Sequence, residues 1–143
     1  MRHALFLLAL LASPALAQIE IENAWTRATP PGAKTAAGYL TIRNKSSSPD
    51  HLIRAASPLA ARVEMHVHLH DGDVMRMRPV EGYDLPARGS LELKPGVAHL
   101  MFVDIKRAFK EGEKVPVTLR FQRAGEMKAV FSVERIDATG VKQ

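Results

Sequence analysis

Imidazoles and thioethers gather in two short stretches of this chain. The first runs Glu64-Met65-His66-Val67-His68-Leu69-His70-Asp71-Gly72-Asp73-Val74-Met75-Arg76-Met77, and the second is His99-Leu100-Met101. Imidazole nitrogen and thioether sulfur are neutral donors, and the sulfur is soft. A site built from both, without carboxylate or thiolate, suits Cu(I) better than Zn, Mg, Ca or Mn. His66, Met75, Met77, His99 and Met101, with His68 close by, are the candidate ligands.

Short strands separated by turn signals carry these residues. Tyr39 to Ile42 reads as a strand, closed by a polar loop from Asn44 to Asp50. Val63 to His70 and Val74 to Val80 flank Asp71-Gly72, a hairpin turn signal. Ser90 to Leu93 and Val97 to Val103 flank Lys94-Pro95-Gly96. Val115, Val117, Leu119 and Phe121 alternate with polar or exposed-type residues, and Met127, Ala129, Phe131 and Val133 do the same after a turn at Arg123 to Glu126. Asp104 to Gly112 has room for one short helical turn. The spacing predicts an antiparallel β-sandwich in a single domain, with no repeat and no linker.

The hairpin fixes geometry. With Asp71-Gly72 as a two-residue loop, His70 pairs with Asp73, His68 faces Met75 and His66 faces Met77. Opposed side chains on one face have Cβ atoms about 4.5–5.5 Å apart. His99 and Met101, two apart on one strand, also share a face. This register sets Arg76 and Arg78 on the face of Met65 and Val67, which is awkward for a core. A three-residue loop would send His66 and Met77 to opposite faces.

The first residues describe an export leader. Arg2 gives a positive start, Ala4 to Ala12 is an apolar run too short to span a bilayer, and Ala15-Leu16-Ala17 is a small-x-small cleavage site. Cleavage after Ala17 leaves residues 18–143 as one periplasmic domain and lowers the net charge from +5 to +4. The chain has no cysteine. It therefore offers no disulfide, no thiolate ligand of the blue-copper kind and no lipid-anchoring thiol. Lys and Arg are scattered, so a nucleic-acid footprint is not expected. Nor is stable membrane insertion.

The motif spacing resembles a known family. Ten residues separate His66 from Met77, twenty-one separate Met77 from His99, and one separates His99 from Met101. This is similar to the motif of the periplasmic copper chaperones written PCuAC. Similarity extends through Ala24-Trp25-Thr26-Arg27, Thr35 to Ile42, Ser57-Pro58, Gly72 to Arg78 and Leu93-Lys94-Pro95-Gly96. The resemblance implies a cupredoxin-like sandwich holding one Cu(I) per chain through His66, Met77, His99 and Met101. It also implies a monomer that supplies the CuA or CuB centre of cytochrome c oxidase, alone or with a Sco-type partner. Some members carry a His/Met-rich C-terminal tail; this chain ends Asp137-Ala138-Thr139-Gly140-Val141-Lys142-Gln143.

Other readings stand beside this one. His51 and His70 read as solvated, and Met65 and Met127 as core packing. Trp25, Tyr39 and Phe102 read as core or near-site packing. No nucleophile triad and no phosphate loop is present in the sequence. Two thioethers favour Cu(I) over redox cycling, so a carrier is expected rather than an enzyme. A copper-sequestering protein would use the same ligands, and a structural β-sandwich would leave them incidental.

Overall fold

The structure, a computed structural model, describes residues 18–141, so the leader expected at residues 1–17 lies outside the described residues. Ten strands follow in chain order: β1 (Ile19–Arg27), β2 (Thr35–Asn44), β3 (Asp50–Ala56), β4 (Ala60–Asp71), β5 (Val74–Val80), β6 (Tyr83–Leu85), β7 (Ser90–Leu93), β8 (Ala98–Ile105), β9 (Lys114–Phe121) and β10 (Gly125–Glu134). Hydrogen bonding runs β4-β8-β2-β1-β10-β9-β3 and returns to β4 where Ala55 meets Val63. The expected β-sandwich is thus a sheet closed on itself. Its pairs are antiparallel except β1 with β10. Closure removes the free sheet edges from the body of the molecule.

Alternation along the strands fills the interior. Leu40 and Ile42 of β2, Leu100 and Phe102 of β8, Val115, Val117 and Leu119 of β9, and Phe131 and Val133 of β10 all point into one buried cluster. Phe109 joins it from the β8–β9 connection. Gly38 has no side chain because none fits: a Cβ there would lie 2.8 Å from the Phe102 ring and 2.9 Å from the Phe131 ring.

The helical turn expected between Asp104 and Gly112 does not form. Asp104 and Ile105 finish β8, and the rest is a bend at Lys106-Arg107 and irregular chain ending in a tight turn. Tertiary hydrogen bonds take the backbone groups that a helix would have used: Lys106 N–H donates to Leu59 O, and Thr29 N–H to Phe109 O. His51, expected in a loop, lies in β3 with Nδ1 2.7 Å from the Asp84 carboxylate on the surface. Met65 is buried as expected, whereas Met127 is only half-buried against the core.

The β4–β5 hairpin corrects the expected register. Asp71 pairs with Val74, so the loop is Gly72-Asp73 rather than Asp71-Gly72. His66 therefore faces Pro79, His68 faces Met77 and His70 faces Met75. The reason is backbone strain. Gly72, at φ 60°, takes the first loop position, as a type II′ turn requires. An Asp71-Gly72 loop of type I′ would have forced a positive φ on Asp71 as well. The correction is two residues, so every side chain keeps its expected face. Arg76 and Arg78 cause no conflict because β5 overhangs the barrel and is exposed from Val74 to Pro79.

Candidate metal centre

Directly opposed residues share a face, so the ladders define a row across the outside of the barrel. Trp25 of β1 faces Tyr39 of β2, and His99 of β8 faces His66 of β4, which faces Pro79 of β5. Tyr39 joins the two pairs, its ring 6.3 Å from that of His99 in an edge contact. On one side of this row lie Ala37, Met101 and Glu64. On the other lie His68 and Met77.

Trp25, Tyr39 and His99 are buried although this row faces away from the core. The Arg27 guanidinium lies 5.5 Å from both the Trp25 and the Tyr39 ring centres, and its Nε–H donates to Ala138 O at 2.7 Å. The segment Thr139 to Val141 lines a surface cavity together with Trp25. His99, with the rings of Tyr39, His66 and His68 around it, is only 2% exposed. Burial first, then the neighbouring charges of His66 and His68, push the His99 pKa down to about 4, so its ring is neutral at physiological pH.

Each of the two central imidazoles has one nitrogen engaged and one free. His66 Nε2 lies 2.8 Å from the Glu64 carboxylate and acts as donor, since the carboxylate can only accept. Hydrogen bonds from Arg62 and then His66 hold Glu64 below its ordinary pKa, so it stays an anion. His99 Nδ1 lies 3.0 Å from His68 Nε2. That leaves His66 Nδ1 and His99 Nε2, which are buried without any hydrogen-bond partner. Buried polar atoms are nearly always paired, so two orphans in rings 5.2 Å apart signal a missing ligand. A carboxylate behind a histidine is the usual support for a metal-binding imidazole.

Tyr83 fixes the backbone beneath them. Its hydroxyl lies 2.7 Å from His66 O and 2.9 Å from His99 O, tying β4 to β8 at the level of the two rings. Burial raises its pKa, so the phenol stays protonated and can donate.

The thioethers approach from two sides. Met101, half-buried, lies one ladder step from His99 on the same face. Met77 is 55% exposed on the overhanging strand and faces His68. β5 and β8 flank β4, so Met77 starts about 9–10 Å, or two strand spacings, from the β8 backbone. Its flexible side chain must reach over β4 to meet the histidines. The structure thus brings His66, His99 and Met101 together directly and leaves Met77 at the rim. Among the described residues, no group of three or more His, Cys, Asp or Glu could hold a metal ion.

Sequence reasoning underweighted three residues. His68 stands between the site and Met75, touching both His99 and the Met75 sulfur at 3.0 Å. Glu64 has a local signal, since a residue two before His66 in a strand must share its face. Tyr83 has none. His70 lies at the exposed rim, with Nε2 3.2 Å from Gly96 O.

Residues 19–133 match the family described as "Putative lipoprotein LpqE-like". The chain belongs to the LpqE-like family. As an LpqE-like protein it is 29% identical over 104 residues to "Putative lipoprotein Lxx21020" of Leifsonia xyli subsp. xyli, a match covering 72% of this chain. It spans only 61% of that relative's length. Among solved structures, the copper-bound PCuAC domain from PmoF2 is 29% identical, with 85% of this chain and 96% of that one aligned at a TM-score of 0.72. The solution structure of CuI-DR1885 from Deinococcus radiodurans is 32% identical, covering 87% and 83%, with a TM-score of 0.68. The LpqE-like fold seen here is therefore the PCuAC fold.

Proposed function

We propose that this chain is an exported Cu(I) metallochaperone that binds one Cu(I) through His66, Met77, His99 and Met101. One observation carries the reading: two buried, unpartnered imidazole nitrogens, His66 Nδ1 and His99 Nε2, sit in neighbouring rings beside thioethers. Two neutral nitrogens and two soft sulfurs favour Cu(I) over Cu(II) or zinc. The likeness to domains described as copper-bound and as a Cu(I) form supports it.

The chemistry is carriage rather than catalysis. Met77, on an exposed strand, can swing away and open the site, while His66 and His99 stay anchored by Glu64, His68 and Tyr83. A ligand that leaves easily lets an acceptor take its place. We read the acceptor as the copper-site subunit of cytochrome c oxidase, reached directly or through a Sco-type protein in the periplasm. Relatives described as lipoproteins support export.

The test is anaerobic Cu(I) titration against a competing chelator, X-ray absorption of the loaded protein, and then transfer to an apo-CuA domain. One Cu(I) with mixed sulfur and nitrogen ligation, followed by transfer, is expected. A sulfur-free shell would remove the site as proposed. Tight binding without transfer to either acceptor would instead make the protein a copper sequestrant.

A further inference from the structure

We propose that His68 and Met75 are positioning residues that hold the single proton of the His99 ring on Nδ1 and so present its Nε2 as a bare electron pair. The inference rests on reading His99 as a copper ligand, and it adds two residues outside the ligand set.

A hydrogen-bond chain runs inward from the surface to His99. Met75, 54% exposed, places its sulfur 3.0 Å from His68 Nδ1. A thioether accepts a hydrogen bond but has no proton to give. His68 Nδ1 must therefore carry the hydrogen. In a neutral imidazole the other nitrogen is then the acceptor. His68 Nε2, 3.0 Å from His99 Nδ1, accepts, and His99 Nδ1–H donates. A proton on His99 Nε2 would be buried with no acceptor in reach, so that nitrogen stays bare. That atom is the buried one without a partner.

The sulfur thus decides at a distance which nitrogen of a buried ring can bind a metal. Without the chain, an isolated neutral imidazole can place its proton on either nitrogen. Any molecule with the proton on Nε2 would have to move it before metal could bind. His68 is held for this task at its own backbone, where its N–H donates to Val97 O at 2.9 Å. Its ring packs edge-on against His99, centroids 5.1 Å apart. Glu64 performs the corresponding task for His66, by a direct carboxylate contact. The two ligands are therefore prepared from opposite sides, one by an anion and one by a sulfur–imidazole chain.

The experiment uses the metal-free protein first. Nitrogen-15 NMR of the imidazole rings at neutral pH reports which nitrogen of His99 bears the proton. Wild type is expected to show Nδ1–H. His68→Ala should give a mixture of both forms. Met75→Leu should do so in part, because His68 is then free to turn its own proton inward. His68→Gln should restore Nδ1–H, since the amide oxygen can accept from His99 while its NH2 group faces Met75. Loss of a support behind a metal-binding histidine typically lowers affinity about 10–100-fold, so His68→Ala should weaken Cu(I) binding by that factor and His68→Gln by less. X-ray absorption should show the same number of nitrogen ligands in wild type and His68→Ala.

A wild-type His99 protonated on Nε2, or a proton position indifferent to His68→Ala, would overturn the proposal. So would the loss of one nitrogen from the copper shell in His68→Ala, which would make His68 a ligand. Failure of the wild type to bind Cu(I) would sink the copper reading alone, because the NMR result is read without metal.

Discussion

Acid should destabilise this protein through one residue more than any other histidine. His99 is buried and its pKa is pushed from 6.5 down to about 4. In the unfolded chain the same ring is hydrated and titrates near its ordinary value, about 6.5. Between those values the unfolded state binds the proton and the folded state does not. Stability therefore falls as pH falls through this window, and it is regained as pH rises toward 7. Integrating the linkage from pH 7 to pH 4.5 gives a loss of about 2–3 kcal/mol from His99 alone. With a urea m-value of about 1–3 kcal/mol/M, the unfolding midpoint should drop by roughly 1–3 M. Carboxylates such as Asp50 and Glu64 also titrate on acidification, so the measurement is a comparison. Urea unfolding of the metal-free wild type and of His99→Gln, at both pH values, isolates the term because glutamine does not titrate. The variant should lose about 2–3 kcal/mol less than wild type over this interval. Equal losses in the two proteins would refute the reasoning, since His99 would then take up its proton while folded.

Four other outcomes follow from the same geometry. Cu(I) affinity measured against a chelator between pH 5 and 7 should fall with a slope of no more than one proton per copper, because His99 is already neutral throughout that range; a slope of two would place a second titrating ligand in the site. Met77→Ala, at an exposed position, should change thermal stability by less than about 0.5 kcal/mol while Cu(I) binding weakens strongly. Met65→Ala should do the reverse at about 2–5 kcal/mol, and half-buried Met127 should cost less than Met65. Gly38→Ala drives a methyl against Phe102 and Phe131 and should cost about 1–3 kcal/mol by calorimetry; a neutral result would mean that the rings can yield.

Two strands could not be read from alternation, for a definite reason. β1 contains Ile19-Glu20-Ile21-Glu22, but a bulge between Glu22 and Trp25, with Asn23 at φ 51°, breaks the two-residue period. β3 has a similar irregularity between Leu52 and Arg54. A bulge re-aims the side chains that follow it. In β1 that is how Trp25 comes to face Tyr39 on the outer row rather than the core. No local pattern announces such a change, because the partner strand decides where the extra residue goes.

By itself the sequence determined the chemistry and the faces. The absence of cysteine, the grouping of histidine with methionine, and the two-residue side-chain period together specified a soft-metal surface on a β-sheet. The period also protected the metal face from the register error, since a two-residue slip moves partners but not faces. Only the tertiary structure decided which donors are ready. His66 and His99 come within one ladder step because β4 pairs with β8, thirty-three residues away in sequence at that point. His99 is buried because the rings of Tyr39 from β2 and of His66 and His68 from β4 pack around it. Burial, hydrogen-bond partners and proton position are properties of packed neighbours from distant parts of the chain, and local residue order does not specify them.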